Sequence, residues 1–111
     1  VSAPAPSTPP GYRVRAPGLG DGSDWLIGSG RHRLGRSDRA DLRLTHASVS
    51  RLHAEVEVIE GGGVLLTDLA STNGTWLGDR RVTRVVLSGD FDIRLGALCL
   101  EFVVVDMPAS R

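Results

Sequence analysis

Ser50 and His53 stand three residues apart with Arg51 between them, where the polar stretch Thr45 to Val49 gives way to an alternating segment. A hydroxyl, a guanidinium and an imidazole gathered at such a junction can serve a nucleophile, a metal or an anion. Ser50, His53 and Asp68 would be the members of a hydrolase. Nothing around them resembles a nucleophile elbow or supplies an oxyanion hole, and a Ser and a His at this spacing have no assured contact. Zinc needs ligand pairs at short spacing, whereas His32, His46, His53 and Cys99 fall on different expected elements. Glu55, Glu57 and Glu60 read as a solvated strand face and a hairpin end, not as catalytic carboxylates. An anion grip remains, and two other loop segments could share it: Gly35-Arg36, with a planar guanidinium, and Ser71-Thr72-Asn73-Gly74-Thr75.

These side chains need a scaffold to hold them, and the pattern points to strands. Tyr12 to Arg15 alternates apolar and charged residues and stops at Pro17-Gly18. Trp25 to Ile27, Arg31 to Arg36 and Leu42 to Leu44 are short expected strands, the last with both Leu pointing inward. Ala54 to Ile59 places Ala54, Val56 and Val58 on one face, and Gly61-Gly62-Gly63 turns it into Val64 to Asp68. Thr75 to Leu77, Arg80 to Val86, Phe91 to Leu95 and Leu98 to Val105 follow, divided by Gly78-Asp79, Ser88-Gly89-Asp90 and Gly96-Ala97. No segment carries an apolar period near 3.6. Many short strands spaced by Gly and Asp indicate an all-β sandwich.

The chain has 111 residues, room for one domain. Folding at this size buries roughly two thirds of the extended surface, enough for stability without metal or disulfide. Residues 1–11, with Pro4, Pro6, Pro9 and Pro10, read as a Pro-rich linker; 12–106 as the domain; 107–111 as a C-terminal tail or linker. A first residue that is Val suggests a piece of a longer polypeptide. Thirteen bases balance thirteen acids, which disfavours a nucleic-acid module that relies on net positive charge. All the bases are Arg, a composition expected of a GC-rich bacterial genome. No apolar run reaches the ~20 residues of a spanning helix, and no signal peptide is visible, so a cytoplasmic protein off the membrane is expected. Lone Cys99, between two Leu, reads as a buried small hydrophobe.

Gly35-Arg36, Ser50-x-x-His53, Ser71-Thr72-Asn73-Gly74-Thr75 and the Gly89-Asp90 turn with Ile93 and Leu95-Gly96 beyond it form an ordered series. In this order and at these spacings it resembles the forkhead-associated (FHA) domain, a phosphothreonine-binding β-sandwich. The resemblance runs from about Tyr12 to Val105. It implies two mainly antiparallel sheets (FHA/SMAD-like) with recognition loops at one end.

The resemblance also implies roles. Arg36 contacts the phosphate; Ser50 meets it through its hydroxyl and its own backbone N–H; Arg51 adds a second cation; Thr72 completes the cradle. Asn73 hydrogen-bonds the ligand's main chain, and Gly35, His53 and Gly74 support the site. An apolar niche, with Val49 as a candidate wall, would favour phosphothreonine over phosphoserine. Arg39, Thr45 to Ala47 and Ser71 are candidates for selecting a neighbouring peptide residue. The implied protein is not an enzyme and takes no cofactor or metal. It is a monomeric domain of a larger protein, binding a phosphothreonine-containing protein or peptide in a Ser/Thr kinase pathway, with no nucleic acid or membrane. The alternative is a phosphate-independent structural or assembly domain, against which the intact cradle positions argue. Leu77-Gly78-Asp79, where many members carry Asn-Gly, is a departure in turn chemistry alone. Thr8, in Ser7-Thr8-Pro9-Pro10, is a candidate phosphosite, but four residues to Tyr12 span only ~13 to 14 Å, which disfavours binding in cis.

Overall fold

A computed structural model describes residues 10–106. The linker reading of residues 1–9, the tail at 107–111 and Thr8 lie outside the described residues.

Eleven strands run in chain order: β1 (Pro10–Arg15), β2 (Asp24–Ile27), β3 (Gly30–Gly35), β4 (Leu42–Arg43), β5 (Ala54–Val58), β6 (Val64–Asp68), β7 (Thr75–Leu77), β8 (Arg80–Val82), β9 (Arg84–Leu87), β10 (Phe91–Leu95) and β11 (Leu98–Asp106). They form a six-stranded sheet, β2-β1-β11-β10-β7-β8, and a five-stranded sheet, β4-β3-β5-β6-β9. Every pairing among the described residues is antiparallel except that of β3 with β4. This is the expected all-β sandwich. β1 begins at Pro10, so Pro10 and Gly11, read as linker, already pair with Asp106 and Val105.

The core lies between the sheets and follows the period of two. Ala54, Val56 and Val58 of β5 point inward, while Glu55 and Glu57 stay half-buried on the outer face. Leu98, Leu100 and Phe102 do the same on β11. Phe91 stacks on Phe102 with centroids 4.7 Å apart. Beside them Tyr12 donates its hydroxyl to the Gly89 carbonyl at 3.1 Å, so the buried ring leaves no polar atom stranded.

Two sequence expectations change. The single strand expected from Arg80 to Val86 is two strands in different sheets, parted at Thr83. Its half-buried residues are Val82, Val85 and Leu87, and the step of three from Val82 to Val85 breaks the period of two. That slip marks a corner without a Gly or Pro. Cys99 is exposed, not buried. With Leu98 and Leu100 facing the core, the residue between them must face out, and it lies opposite Arg94 on β10.

Register fixes which loops share an end. Gly96 donates its N–H to the Gly74 carbonyl at 2.9 Å, joining the β10–β11 turn to the β6–β7 loop. The β3–β4 and β4–β5 loops meet at the same end, where Arg36 N–H reaches Ser50 O and Ser37 N–H reaches Arg51 O, both at 3.0 Å. Pro10, Asp106, Gly89 and Gly61 to Gly63 belong to the opposite end.

Candidate functional site

Three loops enclose a cleft of about 160 Å³ lined by Arg36, Ala47, Ser48, Val49, Ser50, Thr72 and Asn73. Arg36 follows the last residue of β3 and is the only charged side chain in the lining. Its Nε–H donates to the Val49 carbonyl at 3.0 Å, which pins the plane of the guanidinium and leaves both terminal amino groups available. Gly35 makes the approach possible, since a Cβ there would sit 2.0 Å from the Arg51 carbonyl oxygen. No side chain fits between β3 and the loop that carries Arg51.

Ser50 faces Thr72 across the cleft. The Thr72 N–H donates to Ser50 Oγ at 3.1 Å, so the serine hydroxyl keeps its own proton to give. Asn73 donates Nδ2 to the Ser48 carbonyl at 2.9 Å, bridging the second and third loops. Thr72 and Asn73 are exposed, as a surface that meets a ligand must be. Arg51 is exposed too, but does not line the cleft.

His53 is fully buried beneath these loops. Its Nδ1 accepts the Ser50 N–H at 3.0 Å, which requires the neutral tautomer that donates Nε2–H to the Gly74 carbonyl at 2.8 Å. Its backbone joins Leu34 and Leu69 as well. Burial pushes the imidazole below its ordinary pKa, despite the opposing influence of Gly74 and of Asp68. Two readings follow. The Ser50 N–H, expected to face the phosphate, is occupied by the ring. Both ring nitrogens are likewise engaged with backbone, so neither is placed to draw a proton from Ser50 Oγ, and the Ser-His-Asp arrangement does not form.

Asp68 has a different task. Burial would raise its carboxyl, but hydrogen bonds from the Ser71 hydroxyl, the Thr75 hydroxyl and the Ser71 N–H outweigh this and hold it below the usual carboxylate range. Ser71 Oγ in turn accepts the Gly74 N–H at 3.0 Å. The β6–β7 loop is thereby coiled around one carboxylate. Ser71 is only 7% exposed and braces this loop, so it does not present a side chain to a ligand. Gly74 has φ +89°, and a Cβ there would lie 2.7 Å from Arg81 Nε.

One sequence expectation for the ligand face needs revision, and one residue of that face carried no expectation. Val49 is 1% exposed within the core and offers the cleft its carbonyl, while exposed Ala47 supplies apolar lining. Ser48, which sequence reasoning passed over, is a junction. Its Oγ accepts the Ala97 N–H at 2.9 Å and pairs with His46 Nδ1 at 2.9 Å, and its carbonyl holds Asn73. Those partners lie 49 and 25 residues away in sequence, so no local signal announces them.

With this geometry in place, the chain can be set beside known proteins. Residues 32–96 match the family model described as FHA domain. The chain is 44% identical over 83 residues to the FHA domain-containing protein PS1 of Arabidopsis thaliana, covering 70% of this chain and 6% of that protein. It spans about half or less of the length of the curated relatives it matches. Among solved structures, the FHA-1 domain of Mycobacterium tuberculosis Rv1747 superposes with a TM-score of 0.74 at 31% identity, over 86% of this chain and 97% of that one. An FHA domain solved in a structural and functional analysis of phosphothreonine-dependent interactions gives 0.72 at 32% identity, over 89% and 99%.

Proposed function

The chain belongs to the FHA-domain family, and from that premise we propose that it is a phosphothreonine-peptide binding module that brings its polypeptide to a phosphorylated partner. The observation that carries this reading is the convergence of Arg36, Ser50 and Thr72 on one cleft, with the guanidinium already held in place by Val49.

A phosphothreonine brings ~1.5 to 2 negative charges and three acceptor oxygens. Arg36 offers paired, charge-assisted donors through its terminal amino groups. The Ser50 hydroxyl donates to a second oxygen while its lone pair holds Thr72, and the Thr72 hydroxyl closes the third side. Arg51, just outside the lining, adds positive potential as the dianion approaches. Asn73 retains its Oδ1 and one Nδ2 hydrogen, an acceptor and a donor that suit a peptide main chain. Gly35, His53 and Gly74 keep these groups in register. The work is binding alone, without catalysis, cofactor or metal, by a monomeric domain of a larger cytoplasmic protein acting downstream of a Ser/Thr kinase. Such a pre-formed site has little ordering to do on binding, which favours affinity.

A degenerate phosphothreonine-peptide library identifies a ligand, and calorimetry then compares three forms of one peptide. The phosphothreonine form binds, the phosphoserine form binds more weakly, and the unphosphorylated form does not bind. Arg36→Ala costs about 2 to 5 kcal/mol of that affinity, because it strips a partner from a desolvated charge. Undiminished binding by Arg36→Ala overturns the assignment and favours the phosphate-independent alternative.

A further inference from the structure

Building on the phosphothreonine reading, we infer that the cleft continues into a second anion subsite on its β4 flank, carried by Arg43. The ligand it selects is a phosphothreonine peptide bearing another negative group close to the phosphate.

Arg43 lies opposite Gly35 in the parallel pairing of β3 and β4. Its Nε–H reaches the Arg36 carbonyl at 3.3 Å, which sets its guanidinium against the backbone of the one charged residue in the cleft. Arg43 is exposed, and both of its terminal amino groups remain for a partner. Among the described residues the ion pairs are Arg13–Asp24 and Arg31–Glu57, so no carboxylate lies within 4.0 Å of Arg43. The nearby acids are otherwise placed. Asp41 accepts the Arg33 N–H at 2.8 Å, and Asp38 faces the Ser37 hydroxyl at 3.5 Å.

The surroundings reinforce the point. Arg36, Arg39, Arg43 and Arg51 are all exposed at this end and outnumber the exposed Asp38 and Asp41 of the β3–β4 loop, while exposed Glu60, Asp90 and Asp106 belong to the other end. A chain with no net charge therefore carries a local excess of cations beside the cleft. Like charges on hydrogen-bonded neighbouring segments repel, and an anion between them relieves the repulsion. A brace for the Arg36 carbonyl needs only one N–H. The remaining donors and the charge are accounted for by a carboxylate or a second phosphate, either of which suits a planar fork.

The test uses fluorescence anisotropy on a neutral-flank phosphothreonine peptide. Derivatives carry Glu at one flanking position at a time, or a second phosphothreonine. At one or more positions the added charge should tighten binding about three- to tenfold, and the gain should shrink with salt. The ratio between the Glu and doubly phosphorylated forms tells which anion the subsite prefers. Arg43→Gln should erase the gain and leave the neutral-flank peptide within about twofold, as expected where the phosphate contacts themselves are untouched. Arg43→Lys should keep part of the gain.

Absence of any gain in the unaltered protein overturns the inference while leaving the phosphothreonine reading intact. An equal weakening of every peptide by Arg43→Gln also overturns it, since Arg43 would then act only as a brace. Failure of all phosphopeptides to bind overturns both readings together.

Discussion

Gly89 and Gly96 bracket β10, one at each end of the sandwich, and both adopt left-handed backbone at φ +68° and +61°. A Cβ on Gly89 would meet nothing within 4 Å, whereas one on Gly96 would lie 2.5 Å from the Ser48 carbonyl oxygen. The pattern extends beyond this pair. At the far end Gly61 and Gly62 are also open, while at the cleft end Gly35 and Gly74 are hemmed in by Arg51 and Arg81. Far-end glycines answer a dihedral requirement of their own turns. Gly35 and Gly96 at the cleft end answer a requirement set by other loops, because those loops are fastened to one another through Ser48 and His53.

Substitutions can separate these two kinds of constraint. Gly35→Ala carries the largest expected effect, since the collision is with backbone that cannot swing away. A loss of about 3 kcal/mol or more in urea denaturation is expected, at or beyond the upper range for overpacking. A loss comparable to that of an open turn glycine would remove the distinction.

Gly96→Asn and Gly89→Asn form a matched pair, because Asn tolerates left-handed backbone and that contribution is nearly common to both. The difference between them reports the crowding at Ser48 and should be about 1 to 3 kcal/mol against Gly96→Asn. Gly89→Asn by itself should cost only a few tenths.

A further effect, one of pH, concerns the brace beneath the cleft loops. His53 has its folded-state pKa depressed by burial, so below the unfolded value of about 6.5 the unfolded chain binds the extra proton. Its share of stability is complete above that pH and is lost as pH falls from there through the folded-state pKa. The slope is at most about 1.4 kcal/mol per pH unit for one proton. His53→Gln should flatten it relative to the unaltered protein in denaturation series across that window. Asp68, also depressed, loses its contribution at lower pH, below the carboxylate range of the unfolded chain. An unchanged slope in His53→Gln would mean that the ring does not hold the loops as a neutral group.

What could be read from the sequence follows the same division. Alternation announced β5 and β10, an apolar run announced most of β11, and Gly-Asp or Gly-Gly pairs announced the turns, because these signals are local. Arg36, Ser50, Thr72 and Asn73, all singled out in the sequence, line one cleft, and the His53 imidazole hydrogen-bonds loop backbone beneath it. The corner at Thr83 escaped notice because a phase slip without Gly or Pro looks like one continuous strand. Cys99 was misplaced although the alternation of its neighbours puts it outward. The occupied Ser50 N–H, the burial of Ser71 and the junction at Ser48 depend on partners brought together only by the sheets. Residue type at one position carries no record of them.

The pairing of Pro10 with Asp106 has a mechanical meaning. Tension applied at these two residues enters β1 and β11 at the same end of their shared ladder, so its bonds are loaded one after another, not all in parallel. The sandwich would open like a zipper from the side away from the cleft. Arg36 and its neighbours lie at the opposite end, where the pull arrives last.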